Sequence, residues 1–269
     1  MEQRCYRLRY AYFRSLDCQW QNTRGQDYLE LRCEESQVAV AVADGVGQSF
    51  YGDLAARLIG ARLLAWLWEL ASIPMWVPSA LEESLLSLLA LATKDGTRQV
   101  QNQLLPSGVP ALHLEVLEKK RRLGSEAMLA GALVQMRCAA YPYGRLLLAW
   151  LGDTRVQLAA PDASDLSAEL ATDWNGRRRW STRRGVVGGT PGILVTDLRG
   201  IGRVAVHTDG LGPVAHDLRR NVSDGALAQR LRGLVSSAGS DDVAFAELVL
   251  TEPINAVREG ALKLGERPV

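Results

Sequence analysis

The sequence has few cysteines and no recognisable targeting segment. Its four cysteines (Cys5, Cys18, Cys33 and Cys138) include no C-x-x-C pair and are too few for a disulfide scaffold in a chain of 269 residues. The N-terminal residues, M-E-Q-R-C-Y-R, lack the apolar core of a signal peptide. We therefore expect a reduced, cytoplasmic protein.

The sequence also lacks an excess of charge and any long apolar run. Lysine and arginine total 31 against 30 aspartates and glutamates, which leaves a net charge of +1. Proteins that bind nucleic acids usually carry a basic excess, because neutralising phosphates drives their affinity. No stretch approaches the 18 or so apolar residues that a membrane span needs. We expect neither nucleic acid nor a membrane as a partner.

What is present is ordinary globular composition, with 47% hydrophobic residues and no Pro-, Gly- or Ser-rich linker. We therefore expect a single domain over residues 1–269. Residues 38–43 read V-A-V-A-V-A, a small, β-branched run typical of a strand buried on both faces. Strands and helices do not alternate regularly, so the pattern predicts an α+β fold with mostly antiparallel sheets and helices packed outside.

Apolar residues recur at helical spacing in several stretches. Helices are predicted at residues 52–70, from Ser79 through Leu89, near residues 112–123, and at residues 224–234 and 254–264. Ser79 and Glu82 resemble a capping box that opens the second helix. Gly96 is expected to end or kink that helix. Residues 161–192 are polar and Gly-rich, which predicts a long loop of functional use.

Acidic residues stand at the ends of three predicted strands. Asp44-Gly45 and Asp209-Gly210 each follow an apolar strand, and Asp241-Asp242 precedes one. Carboxylates that converge repel one another unless cations neutralise them, and Mg²⁺ or Mn²⁺ favour such oxygen ligands. Two such ions, roughly 3.5–4 Å apart, can clamp a phosphoryl group. The alternative is that each Asp-Gly pair is only a turn dipeptide.

The residues around these positions resemble the motifs of the metal-dependent serine/threonine protein phosphatases of the 2C type. Residues 38–58 read V-A-V-A-V-A-D-G-V-G-Q-S-F-Y-G-D-L-A-A-R-L and resemble one motif of that family. Other blocks occur in the family's order: Q-D at 26–27, G-S at 124–125, L-G-D-T-R at 151–155, H-T-D-G-L at 207–211 and S-D-D-V-A at 240–244. The resemblance covers roughly residues 5–250.

The resemblance implies a role for each matching residue. Asp44 would bridge two ions, and the backbone carbonyl of Gly45 would bind the second. Asp209 and Asp241 would hold the first ion, which makes Asp44 and Asp209 the expected catalytic centre. Asp27 would act through water, and Asp153 matches a position that helps to bind a weaker third ion.

The resemblance also implies the fold and the reaction. Two antiparallel sheets would pack face to face between helix pairs, as a four-layer α-β-β-α sandwich, with residues 161–192 as a mobile flap. A hydroxide bridging the two Mg²⁺ or Mn²⁺ ions would hydrolyse phosphoserine or phosphothreonine in a protein substrate. The implied partners are that phosphorylated protein and a serine/threonine kinase that the phosphatase opposes.

The sequence departs from the family at several positions. Asn22 stands where the family has an arginine that clasps the substrate phosphate. Arg24 is the candidate substitute, and its alternative is a solvated loop arginine. Gln48 replaces a glycine, and Pro213 stands where many relatives carry an acid or amide near the third ion.

The sequence leaves two further questions open, one about His207 and one about the function of the whole chain. His207 shares a strand face with Asp209, so it is either a proton donor to the leaving alkoxide or a packed, hydrogen-bonded strand residue. The chain as a whole is either an active phosphatase or a pseudophosphatase that serves as a regulatory binding module. A phosphatase of the related branch that acts on anti-sigma-factor antagonists is a third possibility, without an attached sensor segment to support it.

Overall fold

The hydrophobic pattern predicts most of the observed elements. The structure is a computed structural model that describes residues 5–170, 174–220, 222–251 and 262–263. Its strands are β1 (Cys5–Phe13), β2 (Tyr28–Glu34), β3 (Gln37–Gly45), β4 (Glu126–Gln135), β5 (Arg145–Leu151), β6 (Arg155–Ala159), β7 (Arg179–Ser181), β8 (Gly185–Val187), β9 (Gly192–Asp197), β10 (Arg203–His207), β11 (Val243–Thr251) and β12 (Leu262–Lys263). Its helices are α1 (Leu16–Trp20), α2 (Gly52–Leu70), α3 (Pro78–Asn102), α4 (Ala111–Leu123) and α5 (Asp224–Val235), with 3₁₀ segments at Ser167–Leu170 and Asp209–Arg219.

The strands form two sheets. One has the order β12-β1-β11-β10-β6, and the main path of the other is β2-β3-β4-β5-β9, with the β7–β8 hairpin attached to β4. Neighbouring strands run antiparallel, apart from β12, which pairs with β1 in parallel. The predicted α+β class with two antiparallel sheets is confirmed.

The alternating run in β3 explains how the layers stack. Its valines face the other sheet, in an apolar core with Val206 and Ala246. Its alanines face the opposite way, toward α2 and α3. Small side chains on that face let α2 approach the sheet closely. On the far side, the 3₁₀ segment Asp209–Arg219 and α5 cover the five-stranded sheet, with Phe245 in that third core. The resulting order is helix, sheet, sheet, helix, as the four-layer prediction requires.

Helix α3 differs from the prediction at its start and its middle. It begins at Pro78, whose fixed φ suits the first turn, and its N-cap is Val77 without a side-chain cap, so the capping box at Ser79 and Glu82 is wrong. The helix also continues through Gly96 to Asn102. A Cβ at Gly96 would lie 2.8 Å from the Cγ2 atom of Thr182, so this glycine serves close packing rather than helix termination.

The segment 161–192 contains regular structure as well as loop. It includes a 3₁₀ turn and the β7–β8 hairpin, whose strand β7 pairs with the start of β4. The helix predicted at residues 254–264 lies mostly outside the described residues, and Leu262–Lys263 form a strand instead. No helix in the described part of the chain is long and apolar enough to cross a membrane.

Candidate metal centre

Three carboxylates meet at one end of the two sheets. Asp44 lies at the end of β3, Asp153 in the turn between β5 and β6, and Asp209 directly after β10. One oxygen atom from each lies within 4.8 Å of the others. Because β3 belongs to one sheet and β10 to the other, the sandwich itself brings these groups together.

Two more predicted aspartates lie next to this group. The β2–β3 ladder pairs Tyr28 with Ala43, so one further step places Asp27 opposite Asp44. Asp27 is buried, with 5% of its surface exposed. Asp241 lies two residues before the start of β11, and its charge acts on Asp44. These five aspartates are thus neighbours in the fold, although more than a hundred residues of sequence separate some of them.

Burial and mutual repulsion raise the pKa values in the cluster. Burial is the largest cause of the raised pKa of Asp44, and the charge of Asp209 is the next. The same two causes, in the same order, raise the pKa values of Asp153 and Asp241. For Asp27, burial raises the pKa first and the charge of Asp44 second. These carboxylates therefore hold protons more tightly than ordinary aspartates unless a cation neutralises them.

The cluster has acceptor atoms to spare. Oδ2 of Asp27 and Oδ1 of Asp153 are buried and have no hydrogen-bond partner among the described residues. Buried polar atoms are normally paired, and several crowded carboxylates offer only acceptors. A hard divalent cation such as Mg²⁺ or Mn²⁺ fits this donor set, because it takes oxygen ligands and supplies the missing positive charge.

The glycines that follow Asp44 and Asp209 allow close backbone contacts. A Cβ at Gly45 would lie 2.4 Å from the carbonyl carbon of Gly52, at the start of α2. A Cβ at Gly210 would lie 2.0 Å from the carbonyl oxygen of Asp242. Neither glycine has a positive φ in the described structure. Packing, rather than turn conformation, therefore requires glycine at both positions.

Asp242 has a structural role that the sequence does not reveal. It is 3% exposed, and its carboxylate accepts hydrogen bonds from the backbone N–H groups of Ser15 at 2.6 Å and Gln26 at 2.5 Å. These bonds tie the start of β11 to the chain on both sides of α1, including the residue before Asp27. In the sequence, the pair Asp241-Asp242 indicates a functional position. The pair alone does not show which aspartate faces the carboxylate cluster and which one holds the loop around α1.

Arg24 is not among the main charges that shift the pKa values of the clustered aspartates. Arg24 is exposed, and its charge, with that of Arg57, opposes the burial that raises the pKa of Asp53. Asn22 is also exposed and has a φ of 49°. Asparagine tolerates this left-handed conformation better than arginine does, which gives a local reason for the departure at this position.

His207 lies inside the protein rather than at its surface. It is fully buried, and its Nδ1 atom lies 2.8 Å from the carbonyl oxygen of Thr208. Burial lowers its pKa to about 4. Strand alternation places it on the same face of β10 as Ala205, which packs with the 3₁₀ segment and α5. This environment is that of a packed strand histidine.

Solved structures of low sequence similarity share this arrangement of sheets and helices. The serine/threonine phosphatase Stp1 from Staphylococcus aureus aligns with a TM-score of 0.59 and 12% identity, over 91% of this chain and 94% of that one. A bacterial serine phosphatase aligns with a TM-score of 0.55 and 12% identity, over 93% of this chain and 99% of that one. The chain has the fold of these phosphatases.

A third match widens the range of proteins with this fold. A sex-determining protein of C. elegans aligns with a TM-score of 0.51 and 15% identity, over 91% of this chain and 65% of that one. No protein-family description matches the sequence, and neither does any curated protein. At these identities the likeness concerns the fold, so the activity has to be argued from the site.

Proposed function

We propose that this protein is a metal-dependent phosphatase that hydrolyses phosphoserine or phosphothreonine in a protein substrate. The observation that carries the proposal is the convergence of Asp44, Asp153 and Asp209 within 4.8 Å, at the end of a sandwich shared with serine/threonine phosphatases. Crowded carboxylates destabilise a fold, so their convergence calls for a cationic ligand. We further propose that residues 1–269 form one phosphatase domain, with 161–192 as its flap.

The geometry and the unpaired oxygens support the proposed ligand set. Asp44 and Asp209 are the central ligands, with Asp153 beside them and the carbonyl of Gly45 and Asp241 at the edge. Asp27, whose Oδ2 is buried and unpaired, holds the position opposite Asp44. Bound Mg²⁺ or Mn²⁺ would lower the pKa of coordinated water and draw charge from the phosphoryl oxygens.

The protein's own contribution is to hold these carboxylates in place. Asp44 and Asp209 extend from buried strands of different sheets, so their separation is fixed by the packing between the sheets. Asp242 fixes the loop before Asp27 through two backbone hydrogen bonds. Rigid support of this kind avoids reorganisation when the phosphoryl group arrives. No cysteine is needed as a nucleophile, because water would attack phosphorus directly as the bond to the serine or threonine oxygen breaks, and that oxygen would take up a proton from water.

A regulatory binding module of the same fold is the second candidate. Two observations favour it: Asn22 replaces the arginine that the resemblance leads us to expect, and the charge of Arg24 acts on Asp53 and is not among the main influences on Asp44 or Asp27. Such a protein would still bind metal, since the aspartates are present, but it would hydrolyse phosphopeptides poorly or not at all.

The deciding experiment measures hydrolysis of a phosphothreonine peptide with and without millimolar Mn²⁺. Wild-type protein is compared with Asp209→Asn and with Glu83→Gln, which removes one negative charge from the exposed face of α3. Metal-dependent turnover that is lost in Asp209→Asn and retained in Glu83→Gln supports the phosphatase. If folded wild-type protein binds Mn²⁺ in calorimetry and still shows no turnover, the protein is a binding module rather than a phosphatase. Asn22→Arg is then the next variant to assay.

A further inference from the structure

A groove lined by basic side chains opens beside the candidate metal centre. Its volume is about 470 Å³, and it lies between the C-terminal end of α4, the residues after Gly45, and the β7–β8 hairpin. Lys120, Arg179, Arg183 and Arg184 line it, against the single carboxylate of Glu126. The chain as a whole carries a net charge of only +1, so the groove is more basic than the chain average.

The wall formed by the hairpin is firmly attached to the protein. The indole of Trp180 in β7 is fully buried, and its Nε1–H donates to the carbonyl oxygen of Leu89 in α3 at 3.0 Å. The backbone N–H of Ser125 donates to Oγ1 of Thr182 at 2.9 Å, and the hydroxyl of Thr97 donates to the Thr182 carbonyl at 2.5 Å. The groove is therefore formed before any ligand binds.

The four basic side chains of the groove differ in whether an anionic side chain of the protein already binds them. Arg179 and Arg184 both contact the carboxylate of Glu126, at 2.5 and 2.6 Å. Within the described residues, Nζ of Lys120 has one hydrogen-bond partner, the carbonyl oxygen of Gly47 at 3.5 Å. Arg183 is exposed, and no acceptor binds its guanidinium among the described residues. Glu126 thus fixes two arginines, while Lys120 and Arg183 remain able to bind an anion from solution.

The groove is close enough to the carboxylate cluster for one peptide to reach both. Val46 lines the groove and is two residues from Asp44, so their Cα atoms are at most about 7.6 Å apart. An extended peptide advances roughly 3.3 Å per residue. A residue roughly two to four positions from a phosphorylated side chain at the cluster would therefore lie in the groove.

We propose that this groove binds an anionic group of the substrate protein, a carboxylate or a second phosphate, a few residues away from the phosphoserine or phosphothreonine. The proposal rests on the phosphatase function and adds a substrate class to it: phosphorylated segments with acidic neighbours. Positive charge beside the cluster also offsets the repulsion that the aspartates exert on an acidic peptide.

The test compares phosphothreonine peptides that differ only in their flanks: neutral, with aspartates on the N-terminal side, with aspartates on the C-terminal side, or with a second phosphothreonine. The assay is kcat/KM with Mg²⁺ present, in wild-type protein, in the double variant Lys120→Gln/Arg183→Gln, and in Arg98→Gln. Arg98 is an exposed arginine of α3 outside the groove, so its variant is the matched control for loss of charge.

We expect wild-type protein to prefer one of the anionic peptides over the neutral one by roughly tenfold at low salt, since several exposed ion pairs add modest gains. The double variant should reduce this preference to about twofold or less, Arg98→Gln should retain it, and salt should weaken it. The aspartate and second-phosphate peptides identify which anion the groove prefers. Equal kcat/KM for anionic and neutral peptides in wild-type protein would overturn the inference, as would a preference that the double variant retains.

A binding measurement keeps the groove separate from the phosphatase activity. Fluorescence anisotropy of a labelled, unphosphorylated aspartate-rich peptide reports on the groove without any hydrolysis. Binding to wild-type protein that is lost in the double variant, together with no turnover of any peptide, would refute the phosphatase and retain the groove. Turnover without such binding and without a preference would refute the groove and retain the phosphatase.

Discussion

Asp209 couples the carboxylates of the candidate metal centre, and its removal should have opposite effects with and without metal. Its charge is the largest electrostatic cause of the raised pKa values of Asp44, Asp153 and Asp241. Two unit charges separated by the 4.8 Å limit of the cluster repel by about 0.9 kcal/mol in water and about 3.5 kcal/mol at an effective permittivity of 20. Asp209→Asn should therefore stabilise the metal-free protein at neutral pH by about 1–3 kcal/mol, which corresponds to an increase in Tm of roughly 2–10 °C.

With metal, the order should reverse. Mn²⁺ at one thousand times its Kd stabilises a folded protein by about 4.1 kcal/mol, which exceeds the gain of about 1–3 kcal/mol expected for the variant without metal. Asp209→Asn should lose most of this gain, because it removes a central ligand. The variant is thus expected to be more stable than wild type in EDTA and less stable in saturating Mn²⁺.

The pH dependence gives a second check on the same cluster. The pKa values of Asp44, Asp153 and Asp241 are raised in the folded protein, so the protonated groups contribute stability at low pH. That stability is lost as the pH rises through the raised pKa values. The loss should be smaller in Asp209→Asn, in which the repulsion is weaker.

The assay is thermal unfolding followed by circular dichroism, in EDTA and in Mn²⁺, with Glu83→Gln as the charge-matched control. A lower Tm for Asp209→Asn in EDTA, combined with a Mn²⁺-induced increase equal to that of wild type, would refute the reasoning. In that case the carboxylates would not act as one repelling group, and the metal would bind elsewhere.

Three further variants test the structure around the site. The pKa of buried His207 is lowered to about 4 from 6.5, so its contribution to stability is present above pH 6.5 and is lost as the pH falls toward 4. His207→Gln should remove about 3 kcal/mol of that pH dependence in urea titrations, and an unchanged dependence would contradict the assigned burial. Trp180→Ala should cost about 3–5 kcal/mol of unfolding free energy, because it empties a fully buried site; a cost under about 1 kcal/mol would mean that the hairpin is loosely packed. Gly25→Ala places a Cβ 2.0 Å from the hydroxyl oxygen of Tyr12 and 2.8 Å from Oδ2 of Asp242, so Mn²⁺-dependent turnover and Tm should both fall, and unchanged values would show that the loop before Asp27 adapts freely.

The sequence predicts the fold where the pattern of residues within one segment is enough to determine how that segment is buried. The alternation of β3 gives both its strand state and its two buried faces, because valine and alanine serve different layers. The apolar spacing of α2 gives bounds that match the structure at both ends. The strand-end positions of Asp44 and Asp209 likewise allow their convergence to be expected from the sequence, whereas Asp153 is expected there only from the family resemblance.

Prediction fails where a residue is chosen for a contact that is distant in sequence. Gly96 resembles a helix terminator, but glycine is required there because the helix packs closely against Thr182 of the hairpin, 86 positions away in the sequence. The hairpin itself is too short to show an alternating pattern, and it is held by β4 and α3 rather than by its own propensity. Asp242 could not be separated from Asp241 in the sequence, since only the fold shows which of them binds the loop around α1.

The same contrast between local pattern and distant contact bears on the choice between an enzyme and a binding module. Asn22 departs from the expected arginine at a position whose φ of 49° suits asparagine, so the substitution is explained by the loop and does not by itself indicate lost catalysis. The clustered aspartates have no such local explanation, because unneutralised they raise the free energy of the folded state. A protein that had ceased to bind metal would gain stability by losing one of them. Their joint presence therefore supports the proposed metal binding, which both candidates share, and the phosphopeptide assay is what separates the enzyme from the binding module.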